Sequence, residues 1–103
     1  LERELQRRFI SMLARRTLDM NSRIQILSKR TLRGKLVAFF TEWARRSGSA
    51  TFSVPFDRAS MADYLGTDRA ALSRELSRMR REGVIDFYKN SFRVTYIPVE
   101  EED

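Results

Sequence analysis

Residues 59–85 read ASMADYLGTDRAALSRELSRMRREGVI. The stretch parses as a short helix, a tight turn at Gly66-Thr67-Asp68, and a longer helix. Met61, Tyr64 and Leu65 fall at i, i+3 and i+4, which gives the first helix one apolar face. Gly66 stands just beyond that face, where a helix C-terminus calls for a residue that tolerates the left-handed backbone. Asp68 or Thr67 then offers a side-chain oxygen to the first free amides of the next helix. Leu72, Leu76 and Met79 continue at i, i+4 and i+7. Two amphipathic helices joined through a short Gly-containing turn form a helix-turn-helix.

The second helix is informative for what it leaves outside. At roughly 100° per residue, Leu72, Leu76 and Met79 cluster inward. Ala70, Ser73, Arg74, Ser77 and Arg81 fall on the opposite side, with Arg69 at its edge. That outer face interleaves small residues with arginines and carries no acid. A B-DNA major groove, about 12 Å wide, admits one such helix, and an Arg near its N-terminal half can pair in bidentate fashion with guanine. A solvated charged face is the alternative that spacing alone leaves open.

The run from Ala62 to Leu76, ADYLGTDRAALSREL, followed by Glu82-Gly83-Val84-Ile85, resembles the winged helix-turn-helix of the Crp/Fnr bacterial transcription regulators. The shared elements are A-x-x-L-G, a polar cap, S-R-x-L and E-G-[VI]-I, in that order and at that spacing. The likeness extends weakly upstream to about Ile24 and downstream to a wing near Tyr96. It implies double-stranded DNA as the partner, with Arg69, Ser73 and Arg74 at base edges and Arg74 foremost. It also implies that the start of the first helix touches the phosphate backbone, which makes Arg58 a candidate phosphate contact. Two departures stand out. Many members carry Glu where this chain has Ala70, so an acceptor for cytosine N4 is missing. Asp68 replaces a frequent Ser, placing a negative charge near amides that could otherwise meet a phosphate.

Charge agrees with a polyanionic partner. The chain has 103 residues, enough for one domain with a modest core, and a formal net charge of +6. Because the last four residues are all acidic, the preceding 99 carry +10. Nucleic acid is the first candidate for so basic a body and an anionic membrane surface the second. No apolar run is long enough to span a bilayer, and no secretory signal is visible. The chain contains neither Cys nor His. Common zinc sites, His-ligated haem, iron–sulfur clusters and Ser-His-Asp or Cys-His nucleophile systems are therefore excluded. No Gly-rich phosphate loop is present. The expectation is a protein that is not an enzyme and has no cofactor or metal of its own.

Upstream, residues 1–29 contain no Pro or Gly and read as one long helix. Ile10, Leu13, Thr17, Met20, Ile24 and Leu27 step 3, 4, 3, 4, 3, the spacing of a coiled-coil seam. Leu5, Phe9 and Met12 add a second apolar strip. Packing against the chain's own body would satisfy such a helix, and so would pairing with a second copy. The resemblance favours the homodimer, because the family dimerises through this helix. There it also joins the DNA-binding domain to a β-roll sensor for a small effector. A chain that starts at Leu1, within a helical pattern, is expected to be the C-terminal part of a longer cytoplasmic bacterial regulator whose sensor lies elsewhere. RNA polymerase is a further partner that this resemblance suggests.

The remaining elements follow in order. Thr31 to Ser47 forms a helix with Leu32, Leu36, Phe39, Phe40 and Trp43 as its buried stripe and Gly48 as its stop. Gly34 is a weak point within it, explicable by close helix packing. Ser49 to Phe56 alternates as a short strand with Phe52, Val54 and Phe56 on one face, and Pro55 marks its edge or end. Asp57 caps a helix from Arg58 to Leu65. Beyond Gly83, residues 84–88 and 92–96 are β-rich, and Lys89-Asn90-Ser91 is a polar turn with Asn at a position tolerant of positive φ. This hairpin is the wing. Tyr88, Lys89 and Asn90 at its tip, together with Arg58 and Arg78, are the expected phosphate-positioning groups. Pro98 ends the strand, before an acidic tail.

The expected architecture is thus mainly α, within the α+β class. A dimerisation helix spans residues 1–29, a winged helix-turn-helix domain residues 30–98, and the tail residues 99–103. Two copies would set two recognition helices, each spanning about residues 68–82, one DNA turn or about 34 Å apart, over an inverted repeat. The main rival is a winged helix that binds a partner protein without reading DNA. The basic, small-residue outer face disfavours it. A basic helix on a membrane surface, formed by the N-terminal segment, is the other; the 3-4 seam argues against it.

Overall fold

The computed structural model describes residues 20–95. The elements are α1 (Met20–Leu27), α2 (Leu32–Ser47), β1 (Thr51–Ser53), α3 (Arg58–Leu65), α4 (Arg69–Arg81), β2 (Ile85–Tyr88) and β3 (Ser91–Val94). The three strands make one antiparallel sheet in the order β1-β3-β2.

Helix ends fall where the side chains supply partners. Thr31 caps α2 by accepting from the Gly34 amide, and Gly48 closes it in the left-handed region at φ 71°. Asp57 caps α3 by accepting from the Ser60 amide. Gly66, at φ 72°, ends α3, and its own amide donates back to that helix. Asp68, rather than Thr67, caps α4 by accepting from the Ala71 amide at 2.7 Å.

The core lies where α2 meets the other elements. Leu36, Phe39, Phe40 and Trp43 of α2 are buried, with Leu32 partly so. Met61 and Leu65 of α3 join them, as do Leu72, Leu76 and Met79 of α4, and Tyr64 packs at the margin. Phe52, Phe92 and Phe87 face one another across the three strands in register. Phe40 lies 4.8 Å from Phe92, centroid to centroid, so the sheet is sealed onto α2 through aromatic edges. Phe39, Phe56 and Tyr64 form a second aromatic group beside it.

Three sequence expectations are corrected. The first strand is shorter than Ser49 to Phe56. It keeps only Thr51–Ser53, because Pro55 removes a donor and Val54 is instead tied to the wing tip. The wing turn has two residues, since Ser91 already pairs with Tyr88. Its positive φ belongs to Lys89, at 56°, and not to Asn90.

α1 is the described part of the expected long helix. Ile26 is its buried residue and lies off the 3-4 seam. Ser22 donates to Glu42 and accepts from Arg46, and the Arg23 guanidinium lies 4.9 Å from the Tyr64 ring centre. One side of α1 is therefore fastened to the body. Met20 and Ile24, on the seam, are 71% and 61% exposed, and Leu27 is half-buried. Ile10, Leu13 and Thr17 lie outside the described residues, as do Leu5, Phe9, Met12, Tyr96, Pro98 and the acidic tail. Among the described residues, no helix is long and apolar enough to cross a membrane.

Candidate nucleic-acid interface

The caps at Asp57 and Asp68 fix the starts of α3 and α4, and Gly66 sets the turn between them. With Leu72, Leu76 and Met79 buried, helical phase leaves the opposite side of α4 in solvent. Arg69, Ala70, Ser73, Arg74 and Arg81 are exposed. Ser73, Arg74, Ser77, Arg78 and Arg81 line a shallow depression along that side. Arg74 forms no ion pair or hydrogen bond to another described residue.

Glu75, one residue further round, has the opposite surroundings. It is 8% exposed, accepts from Arg33 Nε at 2.6 Å and from Arg78 Nη1 at 2.9 Å. Arg33 Nη1 also donates to Glu82, again at 2.6 Å. The Glu82 bond and the nearby Glu75 carboxylate outweigh burial and push Arg33 above the ordinary arginine range. In return, Arg33 holds the Glu82 carboxyl below its usual value. This network ties α4 to the start of α2 and keeps the only buried acid among the described residues away from the outer face. Arg78, an expected phosphate group, spends part of its guanidinium here. Its side chain stays 56% exposed.

The wing stands beside the N-terminal ends of α3 and α4. Arg58, Arg69, Lys89 and Asn90, with Pro55, Phe56 and Asp57, border an open cleft of about 500 Å³. Three cations thus approach one space, where Asp57 is the only acid among the bordering residues. Asp57's carboxyl lies below its ordinary value, chiefly through the Ser60 hydrogen bonds, with a smaller contribution from Arg69. Tyr88 is 73% exposed at the tip, and Lys89 Nζ lies 5.4 Å from its ring centre.

Besides Arg78, two more expected phosphate groups turn out to have internal partners. Asn90 Nδ2 donates to the Val54 carbonyl at 2.9 Å. Arg58 Nη2 donates to the Lys89 carbonyl at 2.7 Å. The sequence reading missed Arg33, Glu75, Arg80 and Phe87. A signal existed for Glu75: it is the lone acid between Asp68 and Glu82, and Arg78 follows it at i+3. For Arg33 and Phe87 none existed, because their partners lie on other elements.

Four helices around an aromatic core and a three-stranded sheet, with α4 carrying outward arginines, define a winged helix-turn-helix domain. Residues 34–98 match the family model of the Crp-like helix-turn-helix domain, and the chain belongs to that family. It is similar to the transcriptional activator protein FnrL of Cereibacter sphaeroides, with 36% identity over 69 residues, 58% of this chain and 28% of that protein. The chain thus spans less than a third of that relative's length.

Proposed function

We propose that the chain reads the sequence of double-stranded DNA by laying α4 in the major groove. Arg69, Ser73 and Arg74 are the base-edge readers. Tyr88, Lys89 and Arg78, with the amide donor of Asn90 that Val54 does not take, hold the flanking phosphates. The observation that carries this reading is the condition of Arg74: exposed, unpaired among the described residues, and set on a face without acids. A guanidinium of that kind keeps its planar fork for a ligand, and a bidentate pair with guanine discriminates by about 1–3 kcal/mol. The same face offers no apolar or acidic patch to a protein partner.

Met20 and Ile24 support a homodimer, since both project from the side of α1 away from Ile26 and the body. Two copies would meet an inverted repeat with half-sites about one DNA turn apart. By the family resemblance, the chain would serve a cytoplasmic bacterial regulator, with a small-effector sensor and contact to RNA polymerase as further elements of the whole protein. No catalytic or cofactor role is assigned to these residues.

The test is binding of wild type and Arg74→Ala to a duplex selected from a random pool and to its scrambled counterpart. Arg74→Ala is expected to lose most of the preference for the selected duplex. Equal loss on both duplexes would remove Arg74 from the reader role. Wild-type binding should also weaken steeply with salt, by about 0.9 in log–log slope per neutralised phosphate. A flat titration would argue against DNA.

A further inference from the structure

Arg58 opens α3 directly after its cap, and its side chain runs to the wing. Nη2 reaches the carbonyl of Lys89, 31 residues further along the chain. The guanidinium carbon also lies 5.2 Å from the Phe87 ring centre and 5.1 Å from that of Phe92. No carboxylate among the described residues pairs with it. Asp57, its neighbour, is occupied by the Ser60 amide. Burial and the nearby Arg69 charge both push Arg58 below the ordinary arginine range. A half-buried cation without an acid is held by its shape: a flat fork that stacks on rings and reaches one carbonyl.

The carbonyl it reaches is not an ordinary one. Lys89 is the single described residue other than Gly with positive φ, at 56°. An L-residue stays in that region only where its surroundings impose it. Asn90 fastens the next position: its side chain donates to the Val54 carbonyl, and its own carbonyl accepts from the Val54 amide at 2.9 Å. Arg80 of α4 reaches the same ring as Arg58, with its guanidinium carbon 4.2 Å from the Phe87 centre.

We infer that Arg58 is a positioning residue: it locks the wing hairpin to the first helix of the helix-turn-helix and so sets where the Tyr88–Lys89 tip lies relative to α4. The lock stands on the free protein's geometry. Its consequence for binding rests on the DNA reading proposed above. With the lock, wing and recognition helix present one rigid surface. Without it, α4 keeps its groove contacts and the flanking phosphate contacts are lost.

Arg58→Lys separates this task from a bare phosphate contact, because it keeps the positive charge and removes the planar fork. In the free protein, the amide resonances of Phe87, Lys89, Asn90 and Phe92 are expected to shift and their hydrogen exchange to quicken, while those of residues 69–76, remote from the Arg80 stack on Phe87, stay in place. Phe87→Leu, which changes no charge, should produce the same pattern, with a thermal melt confirming that it folds. On a selected duplex extending under the wing, each variant should lose about fivefold in affinity, the size of one such stacked contact. On a duplex trimmed to the α4 footprint, neither should differ from wild type.

Unmoved hairpin amides in Arg58→Lys would overturn the inference. So would full affinity of Arg58→Lys on the extended duplex beside a loss for Arg58→Gln with a shallower salt slope, the mark of a phosphate contact alone. Moved hairpin amides, together with a wild type that binds no duplex, would uphold the lock and defeat the DNA reading instead.

Discussion

The two sides of α4 use arginine in opposite ways. Towards α2, Arg33 and Arg78 close on Glu75 and Glu82, with most of Glu75 out of water. Away from α2, Arg69, Arg74 and Arg81 stand in solvent without ion pairs among the described residues. A helical step of about 100° separates Arg74 from Glu75. That single step decides whether a charge is spent on stability or kept for a partner. The lesson is that net charge says little about a site; what matters is which cations the fold has already neutralised.

Removing Glu75 should break the inner side most severely. Glu75→Ala leaves Arg33 and Arg78 without their shared acid, and a loss of about 1–3 kcal/mol is expected by chemical denaturation, moderated by the partial exposure of both arginines. If Arg74 is independent of that network, the preference for a selected duplex should survive in the folded fraction. Loss of that preference would show the two sides to be coupled.

Asp68→Ala should cost less, about 1 kcal/mol, through loss of the α4 cap. It also removes the negative charge nearest the helix amides. DNA affinity should therefore rise slightly as stability falls, which a melt and a binding titration on the same variant would resolve.

Acid should weaken the fold through three carboxyls held by hydrogen bonds, one of them in the inner network. Glu82 and Asp57 are held below their ordinary values by their hydrogen bonds. At Glu42, burial pushes the carboxyl up, but the bonds from Arg45 and Arg46 outweigh it and the net shift is down. Carboxyls depressed in the fold stabilise it above their ordinary pKa, and that contribution is lost as pH falls through the folded values. The melting temperature should be level near neutrality and drop below about pH 4.3. A melting temperature unchanged by acid would mean that these three carboxyls contribute nothing to the fold.

The smallest effect on stability belongs to Arg74, the proposed foremost base reader. Arg74→Ala should alter stability by less than about 0.5 kcal/mol, as exposed substitutions generally do. A larger loss in a melt would reveal a structural role and weaken the contrast between the two sides.

Much of this was legible in the chain. Asp57 and Gly66 are local signals, acting on amides within a few residues, so the bounds of α3 could be read directly, and the start of α4 to within the choice of Thr67 or Asp68. Apolar period marked Leu72, Leu76 and Met79 as inward, and by exclusion Arg74 as outward. The wing was visible as two β-rich runs, but its turn was misplaced by one residue. A polar turn signal cannot say whether Lys89 or Asn90 takes the positive φ when a distant side chain decides it.

The sequence by itself determined where α2, α3 and α4 lie and which side of α4 faces water, because those depend on spacing along one element. Only the tertiary structure decided which arginines remain available. Arg58 is committed to a carbonyl 31 residues away and Arg33 to an acid 42 residues away. Contacts of that separation have no periodicity to betray them; they exist only once the core has brought the elements together.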